Sequence, residues 1–242
     1  MKTVLAVSDV SKAFGGLQVL TKINLQVNES EILGLVGPNG AGKTTLFNIL
    51  SGAMKADTGQ ISLFGTDIQH KKAFEIAKLG LVRTFQVVRP FPNMTCSENL
   101  EVAIISSSRP CASKAKFIQE LLEMVGLQAS SSAIARSLTL MQKKKLEIAR
   151  ALATSPKVLL LDEVMSGLNS TEMNEAIALL HSLKRERGLT IIWIEHVMKA
   201  VMSTADRVTV LHQGQILKVA TPAEVAHDPK VIEVYLGSNE HA

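Results

Sequence analysis

The chain has 242 residues, 46% of them apolar and 20% charged, with a formal net charge of +4. That balance excludes a disordered or fibrous polypeptide and leaves one globular unit with a full core. The basic excess, with a pI near 9.1, is mild and dispersed. Only Lys143, Lys144 and Lys145 cluster. They read as a solvated helix face, so no nucleic-acid partner is expected.

In chain order, 4–7 and 23–27 are short β-type runs set off by Gly15-Gly16 and Asn28-Glu29, the pattern of antiparallel strands at an edge. A compact apolar strand follows at 31–36, then a glycine-rich turn, then apolar residues at helical spacing over 44–50. The turn, Gly37-Pro38-Asn39-Gly40-Ala41-Gly42-Lys43-Thr44, fits G-x-x-x-x-G-K-[ST]. Its N–H groups are expected to cradle phosphates at the helix N-terminus, with Lys43 on the β- and γ-phosphates and Thr44 on Mg²⁺. A glycine turn with an incidental lysine is the plainer alternative, and the strand before and helix after it disfavour that.

Residues 89–155 hold helical segments divided by Pro-, Ser- and Gly-containing breaks, clearest at 117–124 and 145–153. From 157 onward a strand at 158–161, a helix near 173–187 and a strand at 189–194 give the βαβ rhythm of a parallel sheet. The expected class is α/β, a single domain over 1–242. Residues 1–88 and 156–242 form a mainly parallel core with an antiparallel edge, and 89–155 an inserted helical subdomain. The segment 207–220 reads as a hairpin around His212-Gln213-Gly214. Two helix starts follow: Thr221-Pro222-Ala223-Glu224 joins a capping box to proline at the first helical position, and Asp228-Pro229 repeats the device.

Four apolar residues, Val158 to Leu161, deliver Asp162 to the end of a buried strand, where its carboxylate suits a phosphate-bound Mg²⁺. Glu163 follows and is placed to polarise a water for attack on the γ-phosphate, the plainer alternative being a surface acid at a strand end. A further buried strand ends in His196, and parallel strand ends gather at one edge, so His196 is expected beside the same γ-phosphate. His70, His181, His212, His227 and His241 have no such placement and read as structural. Cys96 and Cys111 lack metal-ligand spacing and read as free thiols of a reducing compartment. No apolar stretch approaches the roughly 20 residues that span a bilayer, and no export signal opens the chain, so a cytoplasmic location is expected. Mean hydropathy of +0.20 hints at an apolar docking surface.

The order of the phosphate loop, Thr84-Phe85-Gln86, a helix led by Leu138-Thr139-Leu140-Met141-Gln142, the Asp162-Glu163 strand and His196 resembles the ATP-binding subunits of ABC transporters, over essentially the whole chain. The resemblance implies a two-lobed P-loop ATPase using ATP and Mg²⁺, dimerising head to tail so that each ATP lies between one phosphate loop and the other subunit's signature helix. It puts Phe14 where an aromatic stacks on adenine, although an aromatic at a strand end is also ordinary core. It adds Thr45 to the nucleotide-binding residues and makes Gln86 a magnesium contact that moves with a transmembrane partner. Ser166-Gly167-Leu168-Asn169 falls on the loop that crosses the dimer interface, with Asn169 where the family usually carries Asp. Val82-Arg83-Thr84-Phe85-Gln86, Phe91-Pro92-Asn93-Met94-Thr95, Ile194-Glu195-His196 and the closing Tyr235-Leu236-Gly237 are similar to the ATPases of branched-chain amino acid importers. The implied partners are two membrane permeases, a second ATPase subunit and, indirectly, an extracytoplasmic substrate-binding protein. The implied location is the cytoplasmic face of the cell membrane.

The family's signature is Leu-Ser-Gly-Gly-Gln, and here both glycines are replaced, by Leu140 and Met141. Thr139 and Gln142 also spell a capping box, so these residues either only begin a helix or still present their N–H groups to a partner's phosphate. Amides and dipole bind phosphate, and Leu and Met take helical φ without strain, so Thr139 and the amides of Leu140 and Met141 are expected to serve the partner's ATP. Two other classes stand beside the transport ATPase. One is a nucleotide-gated binding module with little turnover, against which Glu163 and His196 count. The other is a soluble ABC ATPase acting on DNA or ribosomes, disfavoured by the single cassette and the lack of a strong basic patch.

Overall fold

The computed structural model describes residues 2–84, 89–106 and 113–236. In chain order it runs β1 (Thr3–Phe14), β2 (Leu17–Asn28), β3 (Ile32–Val36), α1 (Lys43–Leu50), β4 (Thr58–Leu63), β5 (Thr66–Asp67), α2 (Ala73–Leu79) and β6 (Leu81–Arg83). There follow α3 (Cys96–Ser106), α4 (Lys114–Met124), α5 (Leu140–Ala153), β7 (Val158–Asp162), α6 (Ser170–Arg187) and β8 (Thr190–Ile194). The chain closes with α7 (Met198–Thr204), β9 (Arg207–His212), β10 (Gln215–Ala220), α8 (Pro222–Ala226) and α9 (Pro229–Leu236).

Among the described residues two sheets form. One is antiparallel, ordered β2-β1-β4-β5; the other, ordered β10-β9-β3-β8-β7-β6, is parallel except for β10 at its edge. Every residue of β3, β7 and β8 is buried, as central parallel strands covered on both faces require. Alternate residues of β7 serve the two cores: Leu159 and Leu161 pack with the helices α3 to α6, while Val158 and Leu160 pack with the antiparallel sheet and α1. Gly34 lets α7 lie against β3, since a Cβ there would come within 2.6 Å of Val201 Cγ1.

The predicted edge strands are present but far longer than four or five residues, because β-bulges at the register shifts carry β1 and β2 through 12 residues each. The segment from β4 to β6 had no expected elements; its strands are short and its helix has one fully buried residue, Ile76, too little for a periodic signal. The solvated lysine face is corrected. Lys144 lies on the inner stripe of α5 with Met141, Ile148 and Ala151, at spacings of three and four, and only 7% of it is exposed. The hairpin β9–β10 and both C-terminal helix starts stand as expected, with Thr221 Oγ1 accepting from the Glu224 N–H and Asp228 Oδ1 from the N–H groups of Lys230 and Val231. No helix among the described residues is long and apolar enough to cross a membrane.

Candidate functional site

The parallel register decides what meets at the site. Leu35 of β3 pairs with Ile194 of β8, and Ile194 pairs with Asp162 of β7. The next residues of all three strands therefore emerge in one row at the carboxyl edge, where open α/β sheets bind ligands. The phosphate loop leaves β3, Glu163 leaves β7, and Glu195 and His196 leave β8.

In the loop, Gly37 has φ +154° and no room for a Cβ, which would fall 2.0 Å from the Leu211 carbonyl oxygen. Gly42, at φ +106°, turns directly into α1 where a Cβ would fall 2.7 Å from Leu20 Cδ2 of β2. Lys43 is buried, its Nζ donating to the carbonyls of Gly37 (2.7 Å) and Pro38 (2.9 Å). Burial pushes its pKa down, and the nearby carboxylates of Glu163 and Asp162 partly offset that. Thr44 and Thr45 occupy the first turn of α1 with Lys43, where free N–H groups and the helix dipole favour phosphate.

Asp162 is buried and joined to Arg83 Nη2 through Oδ2 at 2.7 Å, while Arg83 Nη1 donates to Asn48 Oδ1 at 2.6 Å. Among the described residues no cluster of three or more His, Cys, Asp or Glu could hold a metal alone. Magnesium does not need one. It is usually held by one or two carboxylates with substrate phosphates, and the Asp162 carboxylate and Thr44 hydroxyl are hard oxygen donors of that kind. Gln86, expected as a further magnesium contact, lies outside the described residues, as do Phe85, Cys111, Gly237 and His241.

Glu163 takes φ +50°, a left-handed backbone that a β-strand exit does not ordinarily impose on glutamate. Its Oε1 lies 3.3 Å from Nδ1 of His196. The structure thus brings together Lys43, chosen from the loop motif, and Asp162, Glu163 and His196, chosen from strand ends. Phe14, by contrast, is not core: it ends β1 with 44% of its surface exposed and Lys12 Nζ stands 5.4 Å from its ring centre.

The helix α5 begins as the sequence predicts. Thr139 Oγ1 accepts from the Gln142 N–H at 3.2 Å, and Gln142 Oε1 accepts from the Thr139 N–H at 3.0 Å. The two replaced glycines divide. Met141 turns inward to the core, while Leu140 stays half-exposed, its Cδ2 3.0 Å from where a Cβ of Gly167 would stand. Asn169 caps α6 in a box with Glu172.

Two residues quoted only as family motifs turn out to be built into the site. Glu195 is fully buried; Oε1 accepts from the Met165 N–H at 2.7 Å, and burial pushes its carboxyl pKa up. Tyr235 of α9 takes the Gly37 N–H on its hydroxyl oxygen, and burial of that hydroxyl pushes its pKa up to about 12. A signal for Glu195 existed, a carboxylate closing an all-apolar strand; for Tyr235, almost 200 residues from the loop, there was none.

A profile described as "ABC transporter" matches residues 20–166, and one described as "Branched-chain amino acid ATP-binding cassette transporter" matches 220–241. The high-affinity branched-chain amino acid transport ATP-binding protein BraF of Pseudomonas aeruginosa is 39% identical over 98% of each chain. A crystal structure of an ATP-binding cassette of an ABC transporter, in its ADP conformation, superposes with a TM-score of 0.89 at 30% identity, covering 98% of this chain and all of its own. A dimeric cassette in a post-hydrolysis state bound to ADP and phosphate superposes with a TM-score of 0.81 at 25% identity, covering 90% of this chain and 98% of its own.

Proposed function

The chain belongs to the ABC transporter ATPase family, and from that membership we propose that it drives import of branched-chain or related amino acids or amides. It acts as one half of a head-to-tail ATPase dimer on two membrane permeases at the cytoplasmic face. The observation that supports the reading is the row of strand ends from which Asp162, Glu163 and His196 leave, beside the loop and helix that carry Lys43.

The loop amides from Asn39 to Thr44 and the Lys43 ammonium bind the phosphates of ATP, while Phe14 offers an exposed aromatic face to the base. Thr44, Asp162 and Gln86 would hold magnesium, which would supply positive charge to offset that of the phosphates. Glu163 accepts a proton from the water aimed at the γ-phosphate, and His196 holds Glu163 and that phosphoryl group in register. Thr139 and the amides of Leu140 and Met141 close on the ATP of the partner subunit. Residues 89–155 form the helical lobe, and its part around 91–127, with Gln86, faces the permeases. Substrate choice among amino acids belongs to the permeases and the extracytoplasmic binding protein.

Mg²⁺-dependent phosphate release by the full chain, alone and co-assembled with its permeases in lipid, tests the reading against Glu163→Gln. Turnover that rises with the permeases and vanishes in the variant is the expected result. ATP binding without turnover in the complete assembly would overturn it. The contact of Glu163 with His196 disfavours a module that only binds nucleotide.

A further inference from the structure

Two buried charges that this chemistry leaves without a role stand on either side of the turn that follows Glu163. Lys144 of α5 sends Nζ to the carbonyl oxygens of Val164 (2.8 Å) and Ser166 (2.7 Å), with that of Glu163 at 3.5 Å. Glu195, at the end of β8, takes the intervening N–H of Met165 on Oε1 at 2.7 Å. Successive backbone groups of the turn thus face opposite ways. Carbonyls meet a group that can only donate, and the amide meets one that, ionised, can only accept. Buried ions are retained only where such partners compensate their lost hydration. Lys144 is 7% exposed and Glu195 fully buried, so both belong to that class.

The turn has consequences at both ends. It opens on Glu163 in its left-handed conformation and closes on Asn169, the cap of α6. The helix that carries Lys144 begins one turn earlier at Thr139, and Leu140 there packs toward Gly167 of the same turn. Helix α5 therefore grips the turn twice, once by charge and once by packing.

We propose that Lys144 and Glu195 are positioning residues that clamp the 163–169 turn, so that phosphate engaged at the N-terminus of α5 sets the placement of Glu163 in the subunit's own nucleotide site. This rests on the dimeric ATPase reading above, in which Thr139 serves one ATP and Glu163 the other. The clamp links the two sites through one helix and one turn. It is an alternative to glycine-based closeness at the signature: Leu140 and Met141 couple the helix start to the turn and to the core.

The test uses the full chain co-assembled with its permeases in lipid, with Lys144→Met, Lys144→Arg, Glu195→Gln, Thr139→Ala and the Thr139→Ala/Lys144→Met double variant. Rates are taken per folded, nucleotide-binding molecule, so that a loss of stability alone leaves them unchanged. The expected result is a fall in kcat of about 10- to 100-fold for Lys144→Met with KM for ATP nearly unmoved, the mark of a misplaced catalytic group. Arginine, which keeps charge and donors, restores most of the rate, and Glu195→Gln, which keeps the acceptor, loses less than Lys144→Met. The double variant should turn over no more slowly than the worse single one, since coupled residues are non-additive. Unchanged kcat in Lys144→Met, no rescue by arginine, or additive losses would overturn the clamp while leaving the ATPase reading intact. A wild-type assembly without turnover would overturn both.

Discussion

Nδ1 of His196 lies 3.3 Å from Oε1 of Glu163, although the two residues leave different strands and are separated by the whole of α6. The contact follows from the register of β7 and β8, which pairs Asp162 with Ile194 and so brings the next residues out together.

Glu163→Gln removes the base and keeps the size of the side chain. Phosphate release should fall by about 10²- to 10⁴-fold, the usual worth of a positioned acid–base group, with ATP still bound at Lys43. Gel filtration with MgATP should then show an accumulated dimer. Release at the wild-type rate would remove Glu163 from its proposed role.

Thr139→Pro strips α5 of both halves of its capping box, the hydroxyl that accepts from Gln142 and the N–H that donates to it. The cap itself is worth about 1 kcal/mol, so the fold should survive. Hydrolysis coupled to the permeases should be lost while a fluorescent ATP analogue still binds the isolated chain. Unchanged coupled turnover would show that Thr139 only begins a helix.

Arg83 and Asp162 form a buried pair whose side chains are 6% and 5% exposed. Arg83→Met leaves Asp162 buried without its cation, which should cost about 3 kcal/mol in urea unfolding, in the range seen when one partner of such a pair is removed. A loss below about 1 kcal/mol, the scale of an exposed pair, would mean that the bridge is effectively solvated.

Tyr235 is the one tyrosine of the chain, so its phenolate absorbance can be followed without overlap from another. In the folded protein the midpoint should lie at about 12, raised by burial against the opposing pull of the Gly37 N–H. In denaturant it should fall to the ordinary value of about 10. The folded state therefore holds this proton more tightly, and the stability it confers is complete below pH about 10 and is lost as pH rises toward 12. Tyr235→Phe should show a shallower decline of stability across that window, and a midpoint near 10 in the native protein would show that the hydroxyl is solvated.

The parts of the fold that were legible were those where burial is two-sided or where a turn has its own chemistry. β3, β7 and β8 are apolar runs, but for Asp162 and Thr190 at their ends, because both faces are covered, and the phosphate loop, the Thr139 box and the Thr221 box each announce themselves by residue type. What was not legible depends on contacts between distant segments. Lys144 looks like one of three solvated lysines until the carbonyls of Val164 and Ser166 are in place to receive it. The long edge strands were read as fragments because their bulges break the two-residue alternation. Asp162, Glu163 and His196 could be chosen from strand ends alone, whereas Arg83 on Asp162 required the pairing of β6 with β7.

The contact between Tyr235 and Gly37 also bears on when the nucleotide site can exist during synthesis. Gly37 emerges from the ribosome early, yet the strands that flank β3 begin only at Thr190 and Arg207, and the hydroxyl that takes the Gly37 N–H comes later still. Such distant pairings are slow to form and leave apolar strands exposed while they wait. A nascent chain halted anywhere between α1 and α9 would carry the whole phosphate-loop motif and still lack its last support, so premature termination near the C-terminus should yield a protein that chaperones hold longer.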